Sequence, residues 1–202
     1  MFGERSGALG PTHKVDEMHI LIPDNLDKAG LTLLSKAEGV TVQAAAKMSR
    51  DEVLAAIPNA DALIIRSATK VDRAMMQAAP KLKLVGRAGV GVDNVDLVAA
   101  TDLGVVVMNA PDGNTVATAE LALGLMLALA RHIPAADSSM KAGQWERKAY
   151  MGIELRGKTL GLIGFGRVGR AVAKRAAAFE MSIVAYDPFI PAEMAANMGV
   201  KL

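Results

Sequence analysis

The sequence predicts an α/β fold built on parallel strands, and three observations point there. From Met18 onward, short runs rich in β-branched residues alternate with stretches of helical periodicity, the pattern of strands joined by crossover helices. Five runs, residues 19–22, 40–43, 62–65, 82–85 and 105–108, have the length of buried strands and little in-out alternation, as a sheet covered on both faces requires. A glycine cluster at residues 164–169 stands between another apolar run and another helical stretch, so a second α/β unit begins near residue 158.

The helical segments have recognisable starts. Residues 49–57 open on Ser49 and Glu52, whose capping-box spacing lets each side chain satisfy the other's free backbone donor. Residues 115–132 follow Asn114, whose side chain can cap, and are apolar nearly all round until Pro134 stops them. A helix of that kind is expected to be buried on several sides, between domains or in a dimer interface. Residues 138–150 read as a polar connection holding the only tryptophan, Trp145, and residues 191–198 as a further helical stretch. The cluster of Asn, Pro and Gly at 109–113 marks a boundary between a first domain at 18–109 and a second at 110–202, with residues 1–17 a loose tail.

The composition narrows the classes of function. With 202 residues, 51% of them hydrophobic and 22% charged, the chain can bury one sizeable core or two small ones. Its 23 basic and 21 acidic residues form no basic block, so neither nucleic acid nor an anionic membrane is an expected partner. The absence of cysteine rules out disulfides, thiolate zinc sites and a cysteine nucleophile, and it fits a reducing compartment such as the cytoplasm. No secretory apolar run opens the chain, and its longest apolar stretch, residues 119–130, falls short of the roughly 20 residues that span a bilayer.

The chemistry is concentrated in Gly164, Phe165, Gly166, Arg167, Val168 and Gly169. In a strand-to-helix turn, Gly164 allows the tight bend, Gly166 lets a pyrophosphate approach the backbone, and Gly169 lets helix and strand pack closely. The following helix offers the free N–H groups of Arg167 and Val168 and a positive dipole end to the anion. Such a turn can also exist for packing alone, but here a second strand, residues 182–186, ends at Asp187, 18 residues past Gly169. That is close to the spacing of a ribose-binding acid. A carboxylate there accepts from the ribose hydroxyls and repels a 2′-phosphate, so the expected cofactor is NAD rather than NADP.

Residues 65–71, 85–96, 107–111, 145–148 and 157–161, together with the glycine turn, resemble the D-2-hydroxyacid dehydrogenase family across residues 18–202. Segments 66–71 and 145–148 are similar in particular to members acting on a phosphorylated acid. The resemblance implies a flavodoxin-like substrate domain followed by the first half of a Rossmann dinucleotide-binding domain. It also implies NAD, a small-molecule substrate, and a homodimer or higher homo-oligomer formed through residues 115–132. Arg66 and Ser67 would face the substrate, the backbone N–H groups around Val90 and Gly91 would hold its carboxylate, and Asn109 would line the same cleft. Val90 stands where some relatives carry a threonine that reaches the cofactor, which leaves only a backbone role there.

By the same resemblance, a hydride passes from the substrate's C2 to NAD while a histidine, oriented by a glutamate, takes the hydroxyl proton and an arginine grips the carboxylate. Those three are expected beyond Leu202, so the chain alone is expected to be inactive. His13, His19 and His132 read as structural. Strand 160–163 is expected to expose an open apolar edge that lowers solubility. Two alternatives stay open: a reductase of glyoxylate or hydroxypyruvate, and a non-catalytic NAD-sensing interaction protein.

Overall fold

The structure, a computed structural model, describes residues 17–202. The loose tail expected over residues 1–17, His13 included, lies outside them apart from Glu17. The chain divides into two units, one ending at Pro111 and one running from Asp112 to Leu202.

The first unit contains β1 (Met18–Ile22), α1 (Lys28–Ser35), β2 (Val40–Ala44), α2 (Arg50–Ala56), β3 (Ala62–Ile65), α3 (Arg73–Gln77), β4 (Leu84–Arg87), α4 (Leu97–Asp102) and β5 (Val106–Asn109). All strand pairs are parallel, in the order β2-β1-β3-β4-β5, the flavodoxin-like arrangement. Helices pack on both faces of the central strands, while Val106 and Met108 of the edge strand β5 stay exposed. Leu21, Leu63, Ile65 and Val85 pack with Val53, Met75, Met76 and Ala99 of α2, α3 and α4, while Ile20, Ile22 and Ala62 meet Leu31 and Leu34 of α1 on the other side. Each helix begins at a side-chain cap: Asp27, Asp72 and Asp96 accept from the N–H of Ala29, Met75 and Ala99. Ser49 and Glu52 form the expected reciprocal box before α2.

The second unit contains α5 (Thr115–Ala130), α6 (Ile133–Lys141), β6 (Thr159–Ile163), α7 (Arg167–Ala177), β7 (Ser182–Tyr186) and α8 (Ala192–Ala196). β6 and β7 are parallel from Thr159↔Ser182 to Ile163↔Tyr186, with α7 as their crossover. Beyond β7, a parallel bridge joins Val184 to Lys201. Phe165, Val172, Ala176 and Ile183 form the core with Ala119 and Leu123 of α5.

Four expectations are corrected. β4 runs from Leu84 rather than over residues 82–85, because pairing with β3 starts at Ala62↔Leu84 and the N–H of Leu82 is taken by Ala79 in a turn. Asn114 makes no side-chain cap to α5. Pro134 opens α6 instead of ending α5: α5 stops at Ala130, His132 adopts the left-handed conformation (φ 53°), and Pro134 sits in the first turn of α6, where no N–H is needed. The polar connection is shortened accordingly, since residues up to Lys141 are helical.

α5 is buried on one side only. Ala119, Leu123 and Ala130 are covered, while Leu121, Leu125 and Leu129 are 63%, 62% and 78% exposed, because α7 covers a single face. Among the described residues, no single helix is long and apolar enough to cross a membrane.

Candidate functional site

In a parallel sheet of this strand order, the chain reverses its direction of winding between β1 and β3, and the loops leaving the carboxyl ends of those strands open a crevice. The loops there are the segment after Ile22, with Asp24, and the segment after Ile65, with Arg66. An open cleft of about 660 Å³ lies at this point, lined by Asn25, Leu26, Asp27, Lys28, Arg66 and Ala88. Arg66 and Lys28 place two cations on it. The Arg66 guanidinium makes no salt bridge among the described residues and donates only to the Asn25 carbonyl, at 3.3 Å, so it has donors left for an anion. Ser67 beside it is exposed.

The loop that carries these residues is braced from below. Asp24 is 4% exposed and accepts from the Arg66 N–H (2.6 Å), the Thr69 N–H (3.3 Å) and the Thr69 hydroxyl (2.7 Å). A buried carboxylate with this many donors is satisfied in place. Sequence reasoning missed Asp24 and Lys28. The available signal was their place just after the first strand of a parallel sheet, where ligands bind.

After β4 the chain turns through Gly89, Val90 and Gly91. The N–H groups of Val90 and Gly91 have no hydrogen-bond partner among the described residues, whereas Gly89 donates to Arg87 O and accepts from Ala110 N–H. Asn109, at the end of β5, donates its side-chain amide to the Val90 carbonyl at 2.6 Å. The structure thus brings Val90 and Asn109 together. Neither they nor Gly91 is among the residues lining this cleft, and Asn109 braces the turn.

In the second unit, the turn after β6 has the geometry its glycines suggest. Gly164 has φ +96°, a left-handed conformation that strains any side chain. A Cβ on Gly169 would collide with the Gly164 carbonyl oxygen, so this glycine allows the helix to sit against the turn. A Cβ on Gly166 would meet no atom within 4 Å, which means the glycine faces open space that a ligand can enter. Gly166 caps α7 without any side-chain bond, leaving the N–H groups of Arg167, Val168 and Gly169 unpaired among the described residues. The Arg167 side chain pairs with Asp112 at 2.9 Å, so its own contribution here is its backbone.

Asp187 follows β7. Its Oδ2 accepts from the Phe165 N–H at 2.7 Å and its Oδ1 from the Phe189 N–H at 2.9 Å. These donors, Phe165 first, hold the carboxyl below the usual carboxylate range. The acid, which the Ile190 N–H also holds down, is therefore ionised at neutral pH and tied to the glycine turn, and a carboxylate's four acceptor sites leave room for a hydroxyl donor. Unpaired N–H groups at a helix start, an open face at Gly166 and an ionised acid one strand away fit the pyrophosphate and ribose of a dinucleotide. Among the described residues, no cluster of His, Asp or Glu could hold a metal ion.

The family profile of the D-isomer specific 2-hydroxyacid dehydrogenase catalytic domain matches residues 20–200. The chain belongs to this family. A curated relative, D-3-phosphoglycerate dehydrogenase of Archaeoglobus fulgidus, is 54% identical over 185 residues, covering 92% of this chain and 35% of the relative. The chain thus spans about a third of the length of the curated relatives it matches. Among solved structures, a protein of Thermus thermophilus is 35% identical with TM-score 0.76, over 86% of this chain and 58% of that one. D-lactate dehydrogenase of Aquifex aeolicus, solved with NAD and lactic acid, shares the fold at 21% identity and TM-score 0.79, over 90% of this chain and 54% of that one.

Proposed function

We propose that this chain forms the substrate-holding unit and the cofactor-binding turn of an NAD-dependent dehydrogenase that oxidises 3-phospho-D-glycerate to 3-phosphooxypyruvate, the entry step of serine biosynthesis. The observation that carries the reading is the Gly164–Gly169 turn with the ionised Asp187 at the end of the next strand. Bound NAD supplies the acceptor for the hydride that leaves C2. The residues of this chain bind and orient: the N–H groups of Arg167, Val168 and Gly169 take the pyrophosphate, and Asp187 takes the ribose hydroxyls and disfavours a 2′-phosphate. Arg66, with Lys28 and Ser67, draws the substrate phosphate to the cleft, and the N–H groups of Val90 and Gly91 take its carboxylate. The hydroxyl proton goes to a general base, the role that the family resemblance gives to a histidine.

Self-association belongs to the same reading. Leu121, Leu125 and Leu129 leave an apolar stripe on α5 that a second copy of the chain would cover.

The test is to follow NADH formation by the full-length protein with 3-phospho-D-glycerate and NAD. Turnover that loses at least tenfold in kcat/KM on Arg66→Ala, about the worth of one charge-assisted contact, supports the proposal. Turnover of glyoxylate or hydroxypyruvate with none of phosphoglycerate contradicts it.

A further inference from the structure

The two elements given to the substrate, the Arg66 loop and the Gly89–Gly91 turn, leave neighbouring strands, with Ile65 paired to Arg87 at the last position of the ladder. Strand pairing fixes their roots, a parallel backbone bridge from Val71 to Val95 ties the two segments again further on, and the stretches between are left to side chains. One side chain reaches both. The Asn94 amide donates to the Arg66 carbonyl at 2.7 Å and to the Thr69 carbonyl at 2.6 Å, so it clamps the loop at both ends. Its oxygen accepts from Arg87 Nε at 3.0 Å. The other arm of Arg87 lies against the glycine turn: a Cβ on Gly89 would stand 2.6 Å from Nη1, and one on Gly91 3.8 Å. Two carbonyls can be met only by a donor and Arg87 only by an acceptor, so the orientation of the amide is dictated and no other side chain of this size satisfies all three.

Resting on the substrate reading above, we propose that Asn94 is a positioning residue that sets the distance between a phosphate-binding loop and a carboxylate-binding turn, and so selects phosphorylated 2-hydroxy acids over unphosphorylated ones. A phosphorylated substrate must satisfy the loop and the turn together. An unphosphorylated one uses the turn alone. Releasing the loop from the turn therefore penalises the first and spares the second, in the way that small misplacements of a positioning group are costly only to the ligand that needs it.

The experiment compares kcat/KM for 3-phospho-D-glycerate and D-glycerate in the full-length protein, with the Kd for NADH as a control. Three variants are needed. Asn94→Ala removes every bond of the amide. Asn94→Asp keeps the acceptor for Arg87 and loses the donors to the loop. Arg66→Ala tests the premise. Both Asn94 variants are expected to lower the ratio of the two kcat/KM values about tenfold, through KM for the phosphorylated acid, with NADH affinity unchanged. A purely structural role would lower both substrates together, and that result, or an unchanged ratio, overturns the proposal. If Arg66→Ala leaves the ratio unchanged, the substrate reading itself fails and takes this proposal with it. If Arg66→Ala lowers the ratio and the Asn94 variants do not, only the role of Asn94 is lost. Failure of both Asn94 variants to fold makes Asn94 a folding element and also overturns the proposal.

Discussion

The loop that carries Arg66 and the turn that carries Gly166 are held in shape by opposite means. Around Arg66, side chains far apart in sequence do the holding: Asp24 reaches across 42 and 45 residues to the Arg66 and Thr69 backbone, and Asn94 reaches back 28 and 25. Around Gly166, the shape comes from the absence of side chains, with a left-handed Gly164, no room for a Cβ at Gly169 and one tether, Asp187. The first region is a braced polar scaffold whose geometry depends on tertiary contacts. The second is a local backbone shape that any sequence with those glycines can adopt.

This contrast predicts where each region breaks, beginning with the largest effect. Asp24→Ala should leave three donors near a buried position without their acceptor, and urea unfolding should show a loss of about 3 kcal/mol, since each unsatisfied buried group costs roughly 1–3 kcal/mol. A loss under about half a kcal/mol would mean that water replaces the carboxylate and that the loop is not braced. Gly169→Ala should push α7 from the turn at a cost of about 1–3 kcal/mol and, more tellingly, abolish NADH binding in a calorimetric titration. Retained binding would show that the close approach of helix and turn is not needed. Ser49→Ala, away from both regions, should cost about 1 kcal/mol through loss of the capping box before α2, and it should change no ligand affinity.

The smallest effect is the pH dependence. Asp187, Asp61, Asp72 and Glu52 are all held below their ordinary values, by the Phe165 N–H, the His19 N–H, the Arg50 side chain and the Ser49 N–H respectively. A carboxylate with a lowered folded-state pKa contributes stability that is present above its unfolded value, about 4 for these groups, and is lost as pH falls through the lower folded value. The melting temperature should therefore vary little from these groups between pH 7 and 5 and fall below about pH 4. An acid limb centred well above pH 5 would point to other groups.

The same contrast explains what the sequence made legible. Alternating strand and helix patterns revealed the five parallel strands because helices cover both faces of the central ones, and the cap before α2 was readable because Ser49 and Glu52 act within four residues. The glycine turn was readable for the same local reason: residue type and conformation coincide at Gly164 and Gly169. Asp24 and Asn94 were not, because their partners lie in other loops: the place of Asp24 after the first strand signalled a ligand-binding loop but not a buried carboxylate, and nothing near Asn94 announces a three-way amide. The shifted start of β4 and the misjudged Pro134 share one cause. Register is set by pairing with β3, and a proline at a helix boundary is compatible with either an end or a beginning. The uniform apolarity of α5 suggested burial on several sides, and only the packing against α7 shows which side this chain covers by itself.

The most direct test of the central claim is the ratio of NADH to NADPH affinity, measured by calorimetry for the purified protein and for Asp187→Ser. The ratio is the right quantity because loosening the turn weakens both cofactors alike, whereas the carboxylate acts differently on a ribose hydroxyl and on a 2′-phosphate. The expected result is a clear preference for NADH that drops about tenfold or more in the variant, the worth of a hydrogen bond to a charged group. Equal binding of the two cofactors, or a preference that survives the substitution, would contradict the reading of Asp187 and of the turn it completes.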